Sequence, residues 1–409
     1  MVLLFLAHSQ YSYFPSKKIN MIFSFFLLLV SVAAAVVIPG PPGPHPVALR
    51  VRALEDAARW DPHAPEDQPE KRRVMVSIHV PMRREVRCSV EAVPYMPPNT
   101  ASVYGQAATA MYGLPDTLFS GMELEFCDPK TACPSEANKY PLALFSHGRG
   151  GSRLTYGILA RSLASYGYIV VTLDHTYDAF VVEFPDGTMK YAENASNSDI
   201  AYIESLVDSR QKDVSFVIDQ LLDTPAVNSL MTGTQASVDS DKIFVAGHSL
   251  GGATAAASLH ADNRTLGGLN FDGRFFGPVQ TEGTNKPLVL VGTPTSIETI
   301  PGWNETWSNL RGPSLQLAVA GTTHLSFFDV PKLPTVLALP TEYRGLIEQA
   351  LGTIDAGTLA RIEIELLRRI LDYVLGDKDN ALCGIEAVGP EVEQLRSKEL
   401  PCPKNAGLG

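Results

Sequence analysis

Relative to its size, this 409-residue sequence is short of positive charge: 33 lysines and arginines stand against 44 acids, a net charge of −11. A chain this acidic has no footprint for nucleic acid and no generally basic face for a membrane. Metal-ligand spacing is missing too. Nine histidines are scattered without an H-x-x-x-H pair or a clustered Cys/His set, so no metal is expected. No phosphate-cradling loop or dinucleotide fingerprint follows a strand pattern, so no cofactor is expected either. Internal repeats are absent. Apolar residues are plentiful: 45% hydrophobic against 19% charged, which suits a globular chain with a large core.

Cysteine is scarce, at five. Cys127 and Cys133 flank the short loop "CDPKTAC", and Cys383 and Cys402 bracket the C-terminal tail. In an oxidising compartment both spacings could close as disulfides, leaving Cys88 unpaired. The N-terminus fits export. "MIFSFFLLLVSVAAAVV" (21–37) follows Lys17 and Lys18, carries small residues at Ala33 and Ala35, and ends at a proline-rich break. This pattern reads as a secretory signal cleaved near Ala35. An uncleaved anchor is the alternative for so long an apolar run, and Met21 is an alternative start to Met1. Sequons at Asn194, Asn263 and Asn304 suit a secreted glycoprotein.

Residues 36–72, rich in proline and charge, are expected to form an extended arm, and the tail 377–409 is given no fold. Between them, 73–376 alternate strand and helix patterns. Apolar strand runs fall at 140–148, 168–175, 242–247, 266–271, 287–292 and 315–321, and a helical stripe recurs at Ile203, Val207, Val214, Ile218 and Leu221. A final amphipathic helix spans 359–376. The alternation implies one α/β domain with a mostly parallel sheet and helices on both faces.

Within this series "VAGHSLGGATAAASL" (245–259) carries G-x-S-x-G at a strand-to-helix junction. That turn thrusts a serine hydroxyl above the sheet, and its glycines permit the close crossing of strand and helix. Ser249 as a nucleophile needs a base to take its proton and an acid to orient the base, following the serine in chain order. Downstream the histidines are His260, three turns along the same helix, and His324, just past the strand at 315–321. His324 is the candidate base. Asp272 directly ends the strand "LGGLNF" and is the candidate acid; as an Asp-Gly pair, its plain alternative is a turn or a cap. The oxyanion donors are expected at the backbone N–H of Leu250 and of Arg149, the latter in the loop "SHGRGGS" (146–152). His147 there reads as structural.

Together, "LFSHGRGGSRLTYGILARSLASYGYIVVTLDH", "GHSLGGAT", "LNFDGRFFGP" and "THLSFFD" resemble the plasma-type platelet-activating-factor acetylhydrolase family. The resemblance implies an α/β-hydrolase fold and a calcium-independent esterase that removes short or oxidised sn-2 acyl groups from phospholipids, in a divergent, fungal-type secreted branch. It matches Ser249, Asp272 and His324 to that family's triad and Arg149 and Leu250 to its oxyanion donors. Gly273-Arg274 departs from the family, which usually has an aromatic after the acid. The partner implied is an ester or phospholipid substrate. A cutinase-like or polyesterase-like hydrolase would use the same triad, and a silent hydrolase fold would need one of these elements broken. The only insertions noticed near the strand ends are 175–199, with a hairpin signal at Asp186-Gly187, and the loop "SIETIPGWNETWSNLRGP". Neither reads as a helical lid, so a partly open site for acyl chains of about two to six carbons is expected.

Overall fold

Strands written as near-continuous apolar runs are buried on both faces, and alternate residues must then find a layer on each side. The computed structural model describes residues 36–132, 138–193, 199–223, 231, 233–333, 341–376 and 378–402. Among them, one nine-stranded sheet is built from β1 (Val47–Trp60), β2 (Lys71–Pro81), β3 (Asn138–Ser146), β4 (Ile169–His175), β5 (Ala236–His248), β6 (Thr265–Phe271), β7 (Leu288–Gly292), β8 (Ser314–Val319) and β9 (Val392–Lys398). Its spatial order is β9-β8-β7-β6-β5-β3-β4-β2-β1. Strands β3 to β8 run parallel, while β1, β2 and β9 are antiparallel additions at the two edges.

The period of two sorts the core. Ala143 and Phe145 of β3, with Phe244 and Ala246 of β5, face helices α2 (Gly157–Ala164) and α6 (Ala356–Leu375). Their neighbours Leu142, Leu144, Ile243 and Val245 face α3 (Ile200–Asp223). In α6, Leu359, Ile362, Leu366, Leu367, Ile370 and Leu371 are all buried. Each such side chain gains about 1.5–3 kcal/mol on burial, so tertiary packing rather than propensity holds this helix. Asp355 caps its start by accepting from Thr358 N–H at 2.9 Å, and the helix ends at Gly376.

Three expectations change. Residues 36–72 are not a free arm: β1 pairs with β2 from Val47–Pro81 to Asp56–Arg72, and Val36–Ile38 pairs with Met122–Leu124. The prolines bracket β1 rather than interrupt it, and its charged residues belong to a half-exposed edge, which composition alone reads as arm. The tail is also folded, because β9 pairs with β8 and Cys383 bonds Cys402. Cys88 is not unpaired. It bonds Cys127 across 39 residues, since Val90–Pro94 and Met122–Cys127 form an antiparallel ladder that sets Val90 opposite Cys127. Cys133 lies outside the described residues, as do Asn194 and the apolar run 21–35. The hairpin read at Asp186-Gly187 forms between Val181–Glu183 and Met189–Tyr191. No helix among the described residues is long and apolar enough to cross a membrane.

Candidate active site

Three strand ends converge on one corner. Strand β5 stops at His248 and helix α4 (Leu250–Ala261) starts at Leu250, leaving Ser249 alone on the bend with φ 57° and ψ −121°. Such a conformation costs a non-glycine residue of order 1–3 kcal/mol. The bend is held by Ser249 N–H donating to the Phe271 carbonyl at 2.8 Å. An added Cβ at Gly251 would collide with the Ser146 carbonyl, and one at Gly252 with the Asn270 side chain. The glycines after the serine are therefore required by the close approach of α4 to β3 and β6.

Asp272 follows β6, its N–H donating to Val291 at 2.8 Å. His324 opens the short helical turn His324–Phe327 beyond β8. The structure brings the three together: His324 Nε2 lies 2.9 Å from Ser249 Oγ, and His324 Nδ1 lies 2.6 Å from Asp272 Oδ2. The other carboxylate oxygen of Asp272 accepts the Ser296 hydroxyl. Burial alone would push the Asp272 carboxyl up. The bond and charge of His324, then the bond from Ser296, more than offset this and hold it below the usual carboxylate range. The carboxylate thus stays ionised behind the imidazole. His260 lies away from this corner, its ring facing the Gly283 carbonyl at 3.2 Å.

Leu250 supplies the first N–H of α4, a position with no partner inside the helix. The Arg149 loop comes to the same corner, since a Cβ at Gly148 would lie 3.3 Å from that of Ser249. Around Arg149 the neighbouring N–H groups are committed: Gly148 donates to the Tyr156 hydroxyl at 3.1 Å and Gly150 to the Asp178 carbonyl at 3.1 Å. Behind the loop, buried Arg210 pairs with Asp178 and donates to the His147 carbonyl at 2.5 Å. His147 is fully buried, its pKa pushed well down by burial and then by Arg210, as a structural histidine should be. Ser296, Tyr156, His248 and Arg210 were not found from sequence. Tyr156, His248 and Arg210 lie on segments whose patterning signals only strand or helix, Ser296 opens a segment that reads as a loop, and their roles exist only in three dimensions.

Beside the corner an apolar groove opens, with about 970 Å³ of space counting its mouth. Its walls include Tyr104 and Ala108 of α1 (Pro98–Tyr112), Leu346 and Ile347 of α5 (Arg344–Leu351), and Phe328. Arg149 is its charged lining residue. Two helices thus line the groove, and both come from segments outside 175–199 and 296–313. The interval 296–313 is itself partly helical, at Ser296–Thr299 and Trp303–Asn309. The end of α5 is tied to the base loop: Thr323 and Ser326 hydroxyls donate to the Ala350 and Leu351 carbonyls, each at 2.7 Å.

A serine on a strained strand-to-helix elbow, at the carboxyl edge of a parallel sheet and bonded to a carboxylate-held histidine, defines an ester hydrolase of the α/β-hydrolase class. Comparison with known proteins narrows this. A family model for platelet-activating factor acetylhydrolase, isoform II, matches residues 101–373, and the chain belongs to that family. It is 27% identical over 322 residues to a probable 1-alkyl-2-acetylglycerophosphocholine esterase of Arthroderma benhamiae, covering 74% of this chain and 79% of that one. It is 34% identical over 155 residues to platelet-activating factor acetylhydrolase of Canis lupus familiaris, covering 33% and 35%. Among solved structures, a ferulic acid esterase from Streptomyces cinnamoneus superposes with a TM-score of 0.71 at 30% identity, over 89% of this chain and 100% of that one.

Proposed function

We propose that this protein hydrolyses short acyl esters, with the sn-2 acetyl or oxidised acyl group of a phospholipid as substrate, through an acyl-serine intermediate. The single observation that carries the mechanism is the continuous hydrogen-bonded line Ser249 Oγ, His324, Asp272. As the Ser249 oxygen attacks the ester carbonyl, its proton passes to His324 Nε2 and Asp272 stabilises the resulting imidazolium. The carbonyl oxygen, now an oxyanion, is received by the N–H groups of Leu250 and Arg149. The alcohol leaves with the proton from His324. Water, deprotonated by the same imidazole, then frees the acid and restores the serine.

The phospholipid reading is supported by family membership and by the names of the relatives, and the apolar groove suits an acyl chain. A second reading, an aryl-ester substrate, is favoured by the ferulic acid esterase likeness. Release as a secreted glycoprotein is supported by the two disulfides and by the exposure of Asn263 and Asn304.

The test is a hydrolysis profile of purified protein on sn-2 acetyl phosphocholine, sn-2 long-chain phosphocholine, methyl ferulate and p-nitrophenyl esters from acetate to palmitate. Preference for sn-2 acetyl lipid and for acyl chains of about two to six carbons is expected. A maximum at ferulate would move the assignment to the aryl reading, and one at palmitate would exclude the short-chain one. Ser249→Ala should lose fluorophosphonate labelling and roughly 10³-fold or more of the rate.

A further inference from the structure

We propose that Tyr156 and His248 are positioning residues: a directed hydrogen-bond relay from Gly148 N–H, through both side chains, to the His324 carbonyl sets the spacing between oxyanion loop and base. The inference rests on reading Ser249 and His324 as nucleophile and base.

The direction of every bond follows from its ends. Gly148 N–H can only donate, and it meets the Tyr156 hydroxyl at 3.1 Å. The Tyr156 proton is then available to His248 Nδ1, 2.9 Å away. At the far end the His324 carbonyl can only accept, and it faces His248 Nε2 at 2.9 Å. Both ends therefore demand one tautomer, with Nδ1 bare and Nε2 protonated. Burial, and then the neighbouring His324, push the His248 pKa down to about 3, so the relay stays neutral through the neutral and mildly acidic range.

Packing leaves the relay little freedom. Tyr156 is 1% exposed and His248 fully buried. Tyr156 stacks on Phe328 at 5.2 Å, and His248 meets the same ring edge-on at 4.7 Å. The rings of His248 and His324 lie 4.8 Å apart. Three segments far apart in sequence, the Arg149 loop, the elbow and the base loop, are thus joined by three neutral bonds. A displacement of 1 Å at reacting groups costs up to about 10²-fold in rate, so a strut here acts on kcat rather than on binding. Were the relay only a way of satisfying buried polar atoms, its loss would lower stability and leave kcat alone.

Two measurements decide. In the wild-type chain labelled with ¹⁵N-histidine, the His248 ring, assigned by its through-space contact with the Phe328 ring, should show a protonated Nε2 and bare Nδ1 from pH 8 to pH 5. A protonated Nδ1, or titration of that ring near its ordinary value, overturns the relay. This readout needs no variant to fold. In Tyr156→Phe, which keeps the ring stacked on Phe328, kcat for p-nitrophenyl acetate should fall roughly tenfold with KM unchanged. Fluorophosphonate labelling of Ser249 should slow similarly yet reach completion. Wild-type kcat in folded Tyr156→Phe overturns the proposal, whereas failure of the wild type itself to label would instead overturn the assignment of Ser249.

Discussion

Ser296 donates its hydroxyl to Oδ1 of Asp272 while Oδ2 of the same carboxylate holds His324. A carboxylate bound at both oxygens cannot swing, so the imidazole it orients cannot swing either. Ser296→Ala removes a bond to a charged group, worth about 1.5–3 kcal/mol, and lets the Asp272 carboxyl rise toward its ordinary range. The expected result is a roughly tenfold lower kcat with KM unchanged. Asp272→Asn should cost several orders of magnitude more, because it imposes the wrong tautomer on His324. Steady-state kinetics on p-nitrophenyl acetate read both; equal losses would contradict the ranking.

The elbow carries strain that can be measured. Relieving a φ of 57° at Ser249 returns about 1–3 kcal/mol, against roughly 0.5–1 kcal/mol for the extra freedom of glycine in the unfolded chain. Ser249→Gly should therefore be about 1 kcal/mol more stable than Ser249→Ala, with both inactive. Urea unfolding midpoints compare the two. A glycine variant less stable than the alanine variant would mean that the bend is not strained.

Acid should weaken the fold before it protonates the carboxylates that their partners hold below the usual range. Burial pushes the pKa of His79 down to about 4 and that of His248 to about 3, and lowers those of His147 and His175. In the unfolded chain all four titrate near 6.5. Below that pH the unfolded state binds protons the folded state refuses, so stability falls with pH by about 1.4 kcal/mol per unit per group. Asp329 and Glu363, pushed up by burial, bind protons in the fold and oppose the trend, but the four buried histidines, with half-buried His45 shifted the same way, outweigh these two. The urea midpoint should be level from pH 8 to 7 and drop between pH 6 and 4.5. Removing one titrating ring, in His79→Gln, should flatten the slope. A midpoint unchanged between pH 7 and pH 5 would refute this account.

Arg210 supports the Arg149 loop from behind and is fully buried. Arg210→Leu strands the Asp178 carboxylate, and an uncompensated buried charge costs about 3–5 kcal/mol. Arg210→Leu combined with Asp178→Asn should recover part of the stability but not the rate, since the His147 carbonyl still lacks its donor. Thermal unfolding and kcat, measured on the same samples, separate the two effects. Full recovery of both would leave Arg210 with a role in charge balance alone.

How far the sequence could be read depends on the reach of each signal. Strands β3 to β8 and helix α6 are local, apolar and periodic, and they form within a few residues of where the pattern puts them, except that β5 starts six residues early, through the polar stretch before Ile243 that the apolar pattern does not cover. That Ser249, Asp272 and His324 meet at one corner was legible because chain order and strand ends constrain each choice to one or two residues. β1 and β9 were not, because edge strands face water on one side and their charged residues dilute the pattern. The Cys88–Cys127 bond was hidden for another reason: it closes across an antiparallel pairing that spacing cannot report. Helices α1 and α5 escaped notice at the site because their membership in the groove is set by where the sheet places them.

Strand β9 has a further consequence. It hydrogen-bonds the outer side of β8, the strand from whose end the His324 loop springs, yet a ribosome makes it well after His324. Until β9 emerges and docks, β8 presents a bare ladder of donors and acceptors to any other nascent chain, the state in which sheets mispair and clump. The Cys383–Cys402 bond spans β9 and acts as a latch on this late-made strand. The platform of the His324 loop is therefore completed late in biosynthesis, and conditions that slow thiol oxidation should reduce yield before they affect the folded chain.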